Sequence, residues 1–247
     1  MKIYRLIVIF AYLLVTASSF SNTQPKMLQA YLKGNWEYWR QQIDSLKSAP
    51  HLSKESNKQL ALYEFEYIGF LLGQKRNSEA AVYYPDARKR IQNIVKTENS
   101  ARFDAVMSAF IGYDIVLNPM KAPFVSPKTF EYAQKAIDIA PQLPWGYFQM
   151  GSLKYYAPSV FGGSKEVSLK YFLEAKSRFR NVKNHLNNYQ YPSLLRAIAQ
   201  NYEAIGDYQT ALKCYNEILD IYPDFLWVKN TLRPNLLKKM HDCRLTQ

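Results

Sequence analysis

The stretch that most constrains the fold is residues 192–225, where two helical apolar stripes are separated by a glycine and closed by a proline. Apolar residues in the first half recur at spacings of three and four, which places them on one helix face. Gly206 can adopt the left-handed conformation that ends a helix, and Asp207 can accept hydrogen bonds from the open N–H groups of the next helix. A second stripe follows and stops at Pro223, which cannot continue a helix. The stretch therefore predicts a helical hairpin.

The details of this hairpin resemble a known repeat. Ala211 is small enough to let two antiparallel helices approach to about 8–10 Å. A Gly-Asp-Tyr turn, an alanine three residues later, an aromatic Tyr215 and then Pro223 resemble the tetratricopeptide repeat (TPR), whose length is about 34 residues. The resemblance implies an all-α fold, an α-solenoid of TPR-like helical hairpins with a C-terminal capping helix.

The same pattern recurs elsewhere in the chain. We expect one TPR-like domain over residues 22–247, built from about five hairpins. Its clearest repeats are residues 126–141, 144–179 and 192–225, and a capping helix over 226–243 covers the last repeat.

Prolines give two local predictions for helix starts. Ser126 and Pro127 have the form of an N-cap followed by proline at the first helical position. Pro85 falls inside an apolar period, so we expect either a kink there or a helix that begins near Tyr84.

The N-terminus has the order of a secretory signal peptide. Lys2 and Arg5 precede an apolar run over residues 6–15, and small residues follow. A membrane anchor is the alternative, but the run is shorter than the roughly 20 residues that span a bilayer. We expect residues 1–21 to be a signal peptide, the protein to be exported to the periplasm or secreted, and no membrane span to remain after its removal.

The charge of the chain favours anionic partners. Removing the signal lowers the formal net charge from +12 to +10. The lysines and arginines are scattered, and no motif that reads nucleic acid accompanies them, so nucleic acid is not the expected partner. An anionic cell wall or lipid surface remains one alternative.

The residue pattern does not indicate a catalytic, phosphate-binding or metal site. His51, His185 and His241 have no nucleophile motif beside them, and Gly-rich phosphate loops are missing from the sequence. His241 and Cys243 stand two apart on a predicted helix and point to different sides, so we expect no metal site. We predict that the chain is not an enzyme and needs no cofactor. Cys214 and Cys243 are candidates for a disulfide in an oxidising compartment, or alternatively are small apolar residues.

The predicted binding surface is the groove lined by the first helix of each hairpin. The residues just off the packing stripe carry aromatic and polar groups typical of sites that hold an extended peptide or a small ligand. They are Trp145, Phe148, Ser152, Tyr155, Tyr156, Arg196, Gln200 and Glu203, together with Ser193. In the alternative interpretation, Trp145 and Phe148 fill the contact between adjacent hairpins.

Two functions follow from this surface. The first is an exported scaffold that binds a protein or peptide partner in the bacterial cell envelope. The second comes from the long turn at residues 155–166, whose Pro158 and Phe161-Gly162-Gly163 resemble a feature of the periplasmic T-component proteins of TRAP-type importers. That resemblance implies a ligand-binding accessory of a solute-import system. The turn is alternatively a compact loop that packs Phe161 on its own hairpin.

Overall fold

The computed structural model of the chain describes residues 25–245, with side chains as far as residue 243. Within this range the regular structure is helical and contains no strand. The predicted signal peptide at residues 1–21 lies outside the described residues. In the described part, no helix is long and apolar enough to cross a membrane.

Ten helices form five antiparallel hairpins, and an eleventh follows them in the described part of the chain. The hairpins are α1 (25–32) with α2 (Trp36–Lys47), α3 (Lys54–Gly73) with α4 (Asn77–Thr97), α5 (Ala101–Leu117) with α6 (Ala122–Ile139), α7 (Trp145–Tyr156) with α8 (Lys165–Arg178), and α9 (Gln190–Ala204) with α10 (Tyr208–Ile221). A π-helical turn, Val228–Leu232, leads into the last helix, α11 (Arg233–Leu245).

The helices pack in chain order. From α2 to α11 each helix contacts its neighbour in sequence, and the first helices also contact each other, α3 with α5 and α5 with α7. A hairpin of this length cannot bury its apolar faces alone, so each one covers the next. The protein is therefore an all-α solenoid, as the sequence predicts.

The hairpin at residues 192–225 forms as its local signals predict. Gly206 is in the left-handed region, with φ of +86°, where a side chain would be strained. The Asp207 carboxylate accepts a hydrogen bond from the backbone N–H of Thr210 at 3.1 Å and so caps α10. Ala211 is fully buried at the helix crossing.

The predicted helix start at Ser126-Pro127 is wrong, and so is one of the two alternatives for Pro85, a start near Tyr84; the kink at Pro85 stays a prediction. α6 begins at Ala122, so Pro123 rather than Pro127 occupies the first turn, and the Ser126 hydroxyl donates to the Ala122 carbonyl instead of capping. α4 runs unbroken from Asn77 to Thr97, and no helix starts near Tyr84. Pro85 is tolerated inside α4 because it lies on the exposed side, where a carbonyl without its helical partner can bond to water.

Buried polar contacts hold the fourth and fifth hairpins together. The Ser168 hydroxyl donates to the Gly151 carbonyl at 2.8 Å and accepts from the Asn201 amide at 2.7 Å. Gly151 permits this approach because a Cβ there would lie 2.5 Å from the Phe172 ring. These contacts connect α7, α8 and α9 and fix the position of the first helices relative to one another.

Candidate functional site

Side chains from four first helices meet around Gln190, at the start of α9. The side-chain carbonyl oxygen of Gln190 accepts a hydrogen bond from Arg102 of α5 at 2.9 Å, and its amide donates to Glu66 of α3 at 3.3 Å. The Arg102 guanidinium also lies over the Trp145 ring of α7, 4.7 Å from its centroid. We call Glu66, Arg102, Trp145, Gln190 and the nearby Arg196 the first-helix cluster.

The two ends of the described chain come together beside this cluster. The Trp39 ring of α2 packs edge-on against Tyr189 with centroids 4.9 Å apart, and Tyr31 of α1 packs against Phe225 at 5.4 Å. The solenoid thus brings its first hairpin against its last. As a result Gln190 is only 5% exposed, although it belongs to a first helix.

Burial determines the electrostatics of the cluster. It raises the pKa of Glu66 to about 7, against the opposing effects of the Gln190 hydrogen bond and the charges of Arg102 and Arg196. Burial also lowers the pKa of Arg102. The Nε atoms of Arg102 and Arg196 are buried and have no hydrogen-bond partner within residues 25–243. Both arginines therefore keep an unused donor.

Arg196 is the member of the cluster that lies next to exposed aromatic surface. Its guanidinium donates to the Gln200 side chain at 2.5 Å and to the Ser193 hydroxyl at 3.4 Å. It also lies over the Trp227 ring, 4.8 Å from the centroid, and Trp227 is 44% exposed. An arginine stacked on a tryptophan keeps its remaining donors for a partner.

Three of the predicted site residues on α7 mainly make packing contacts. Trp145 is 9% exposed and packs edge-on against Phe179 at 5.3 Å, and Phe148 packs against Phe172 at 5.8 Å. The Ser152 hydroxyl donates to the Phe148 carbonyl of its own helix. These contacts agree with the packing alternative for the two rings, and a role in binding stays a prediction.

The other predicted residues lie closer to solvent. Tyr156 is 77% exposed, while the half-buried Tyr155 has the Lys165 ammonium 3.5 Å above its ring. Glu203 accepts a hydrogen bond from the Tyr215 hydroxyl at 3.3 Å and lies 3.8 Å from the Lys239 ammonium. Gln200 contacts only Arg196 through its side chain among the described hydrogen bonds. Of the predicted residues, the structure thus brings Trp145 and Arg196 into the cluster, with Gln200 bonded to Arg196, but not Glu203.

The long turn at residues 157–164 is held by lysines at its base. The Lys154 ammonium donates to the Gly162 carbonyl at 2.9 Å and lies 4.9 Å from the Phe130 ring. Phe161 is 42% exposed and Val160 is 83% exposed. Phe161 is therefore only partly packed on its own hairpin.

Sequence reasoning missed three residues of the cluster, Glu66, Arg102 and Gln190, as site residues. Arg102 was the detectable one, because it precedes an almost wholly buried stretch of α5. A charged residue in such a position needs a partner. Glu66 and Gln190 gave no comparable signal, since their contact joins positions 124 residues apart.

The two cysteines lie on the last two helices of the described chain. Cys214 is half-buried on α10, Cys243 is exposed on α11, and the two sulfurs are not bonded to each other. The disulfide between them stays a prediction. Among residues 25–243, no group of three or more His, Cys, Asp or Glu side chains is arranged to hold a metal ion.

Comparison with known proteins adds a likeness of fold. No protein-family model and no curated protein matches the chain. Among solved structures, the chain is similar to a thermophilic TPR protein of Thermus thermophilus, with a TM-score of 0.57 and 15% identity. The similarity covers 87% of this chain and 97% of that one. At this identity the likeness concerns the fold alone.

Proposed function

We propose that this TPR-like solenoid is a non-enzymatic scaffold that binds a protein or peptide in the bacterial cell envelope. Its binding surface is the face of the first helices around Arg196, Trp227 and Tyr156. Helical repeat solenoids commonly bind their partners on such faces, so the fold gives general support to the proposal. Export rests on the sequence of residues 1–21.

The observation that carries the proposal is the state of Arg196. It is half-buried, lies over an exposed tryptophan, and retains a buried Nε donor that no described residue uses. Arginine and tryptophan in a partly desolvated position are the residue types that dominate binding energy at protein interfaces. Tyr156, at the end of α7, adds an exposed aromatic ring to the first-helix face.

Site-specific photocrosslinking in intact cells tests this proposal. A photoreactive residue replaces Tyr156, which is 77% exposed, and the matched control replaces Val82 on α4, which is 75% exposed. Because exposure is nearly equal, only a partner that prefers the first-helix face gives a defined adduct from position 156 alone. Equal labelling from both positions would contradict the proposal.

A pair of substitutions separates binding from folding. Arg196→Ala with Tyr156→Ala should abolish the adduct formed by a crosslinker at Trp227, while the helical circular dichroism signal stays unchanged. Trp145→Ala with Arg196→Ala is the harsher variant, because Trp145 also packs against Phe179. Loss of the helical signal in that variant alone would assign Trp145 to the core.

The importer accessory remains the second candidate, and one observation favours it. The long turn leaves Val160 83% exposed and Phe161 42% exposed, so apolar side chains at the feature that resembles the T-component proteins are accessible to a ligand. Native mass spectrometry of the protein purified from its own cells distinguishes the two functions. A stoichiometric small molecule released on unfolding favours the importer accessory, and a captured envelope protein favours the scaffold.

A further inference from the structure

A second basic region lies away from the first-helix cluster, in a cleft between α4, α5 and α6. Its volume is about 150 Å³. The floor is apolar and consists of the buried side chains of Met107 and Ile111 on α5. The walls are the second helices of two consecutive hairpins, α4 and α6. We call it the α4–α6 cleft.

The helical period places the polar groups of this cleft. On α4, Arg88, Gln92 and Lys96 follow one another at intervals of four, which puts them on one face. On α6, Lys128 and Tyr132 have the same spacing. Because α4 and α6 flank the same first helix, these two stripes face a common space.

The lining of the cleft carries three positive charges and no carboxylate. Among residues 25–243, none of the side chains of Arg88, Lys96 and Lys128 has an ion pair or a hydrogen bond. Arg90, two residues further along α4, shows the opposite state, because it is bonded to Glu64 at 2.9 Å. The charges of the cleft are thus left without a counter-charge from the described chain.

One nitrogen of the cleft is also desolvated. The Nη1 atom of Arg88 is buried and has no hydrogen-bond partner in the described part of the molecule. A buried guanidinium donor without a partner is costly and is rarely retained without a role. The acidic side chain one turn from Met107 on α5, Asp104, is fully buried; its Oδ1 accepts a hydrogen bond from Lys135 at 2.9 Å, and its Oδ2 has no partner among the described residues. Neither oxygen is bonded to Arg88, so Asp104 does not supply the missing partner.

We propose that the α4–α6 cleft binds a phosphate group, with Arg88, Lys96 and Lys128 as its cationic ligands. A phosphate carries about two negative charges and three acceptor oxygens, so it neutralises this lining better than a carboxylate does. Its size also fits. The cleft is smaller than the roughly 300 Å³ at which pockets for larger organic ligands begin, so it has room for one tetrahedral oxyanion but not for a nucleotide.

Calorimetric titration of the purified full chain in chloride buffer tests the proposal with inorganic phosphate as the probe. Saturable binding at one site per chain is expected, and acetate at equal ionic strength should bind at least about tenfold more weakly, because it carries half the charge. Glycerol 3-phosphate forms a second arm. Tighter binding of the ester identifies a phosphorylated small molecule as the ligand, and tighter binding of inorganic phosphate identifies the free ion.

Matched variants decide whether the cleft is the site. Arg88→Met should weaken phosphate binding by about tenfold or more, since a charge-assisted hydrogen bond is lost. Lys89→Met removes the same charge from an exposed neighbouring position on α4 that does not line the cleft, and should leave binding unchanged. Lys128→Met is a second variant and should weaken phosphate binding as Arg88→Met does. Lys128 is exposed, so its replacement carries little risk to folding.

Three results would overturn the proposal. They are no saturable binding of phosphate by the unmodified chain, equal affinity for acetate and phosphate, and equal loss of binding in the Lys89→Met and Lys128→Met variants. The last result would mean that phosphate binding depends only on the overall positive charge of the chain.

Discussion

The first-helix cluster and the α4–α6 cleft are both basic, but their arginines are in different states. Arg102 in the cluster donates to Gln190 and lies over Trp145, with the Glu66 carboxylate beside it. The side chain of Arg88 in the cleft has no partner within residues 25–243. The Arg102 guanidinium therefore connects hairpins of the protein itself, whereas the Arg88 guanidinium remains available to a ligand.

This difference separates structural from binding roles better than residue type does. A buried charge with partners holds elements in place, and its loss leaves those partners unsatisfied. A charge without partners costs stability in the free protein and is recovered only when something binds. Arg196 lies between these states, since it is bonded to Gln200 but keeps its Nε donor unused.

The largest expected effect is on stability. Arg102→Met should lower the free energy of unfolding by about 2 kcal/mol, because Gln190 loses a charge-assisted hydrogen bond. Arg88→Met, the matched substitution, should not lower it and should raise it by about 1 kcal/mol, since a buried donor without a partner is removed. Urea unfolding followed by circular dichroism measures both. Equal losses in the two variants would remove the distinction between the regions.

The second effect is a pH dependence that arises in the first-helix cluster. The pKa of Glu66 rises from 4.5 to about 7 on folding, so between these values the folded state binds more protons than the unfolded state. This contribution to stability is present below pH 4.5 and is lost as the pH rises through 7. We expect a loss of about 1 kcal/mol between about pH 5 and pH 7.5, reduced by the solvent contact that Glu66 keeps.

Glu66→Gln tests that assignment. Glutamine has the same shape but does not titrate, so the difference between the two stability curves isolates Glu66 from the histidines and other carboxyl groups. The difference should grow as the pH rises from about 5 to about 7.5, in favour of the glutamine variant. A constant difference would show that Glu66 titrates with its ordinary pKa.

The smallest effect is that of salt. Raising sodium chloride should stabilise the chain by about 0.5 kcal/mol, because salt screens repulsion among like charges. The gain should shrink in Arg88→Met, which removes one of three uncompensated cations, and should persist in Arg102→Met. Unfolding midpoints at low and high salt measure this, and an equal gain in both variants would assign the repulsion to the chain as a whole.

Local signals in the sequence predicted most of the fold. The Gly206-Asp207 turn forms as expected, because its glycine and its cap act on residues within one turn of the helix. The start of α6 was wrong for a related reason. Two prolines, Pro123 and Pro127, both fit a first turn, and the local pattern gave no means to choose between them.

The candidate site was less predictable. Helical spacing correctly grouped Arg196, Ser193 and Gln200, since i, i+4 neighbours share a face. It left open whether Trp145 lines a binding surface or fills a contact between hairpins. The structure shows contacts of this ring with Phe179 and Arg102, and its role in binding stays a prediction. Spacing within one helix does not show which neighbouring hairpin covers a face.

By itself, then, the sequence determined that the chain forms helical hairpins and stacks them, because caps, turns and apolar stripes act over a few residues. Only the tertiary structure decided that Glu66 and Arg102 meet Gln190, and that Arg88 meets no partner in the described chain. Those contacts depend on how the hairpins curve as they stack. Small rotations at each interface add up, and their sum decides which charges are satisfied and which remain free to bind.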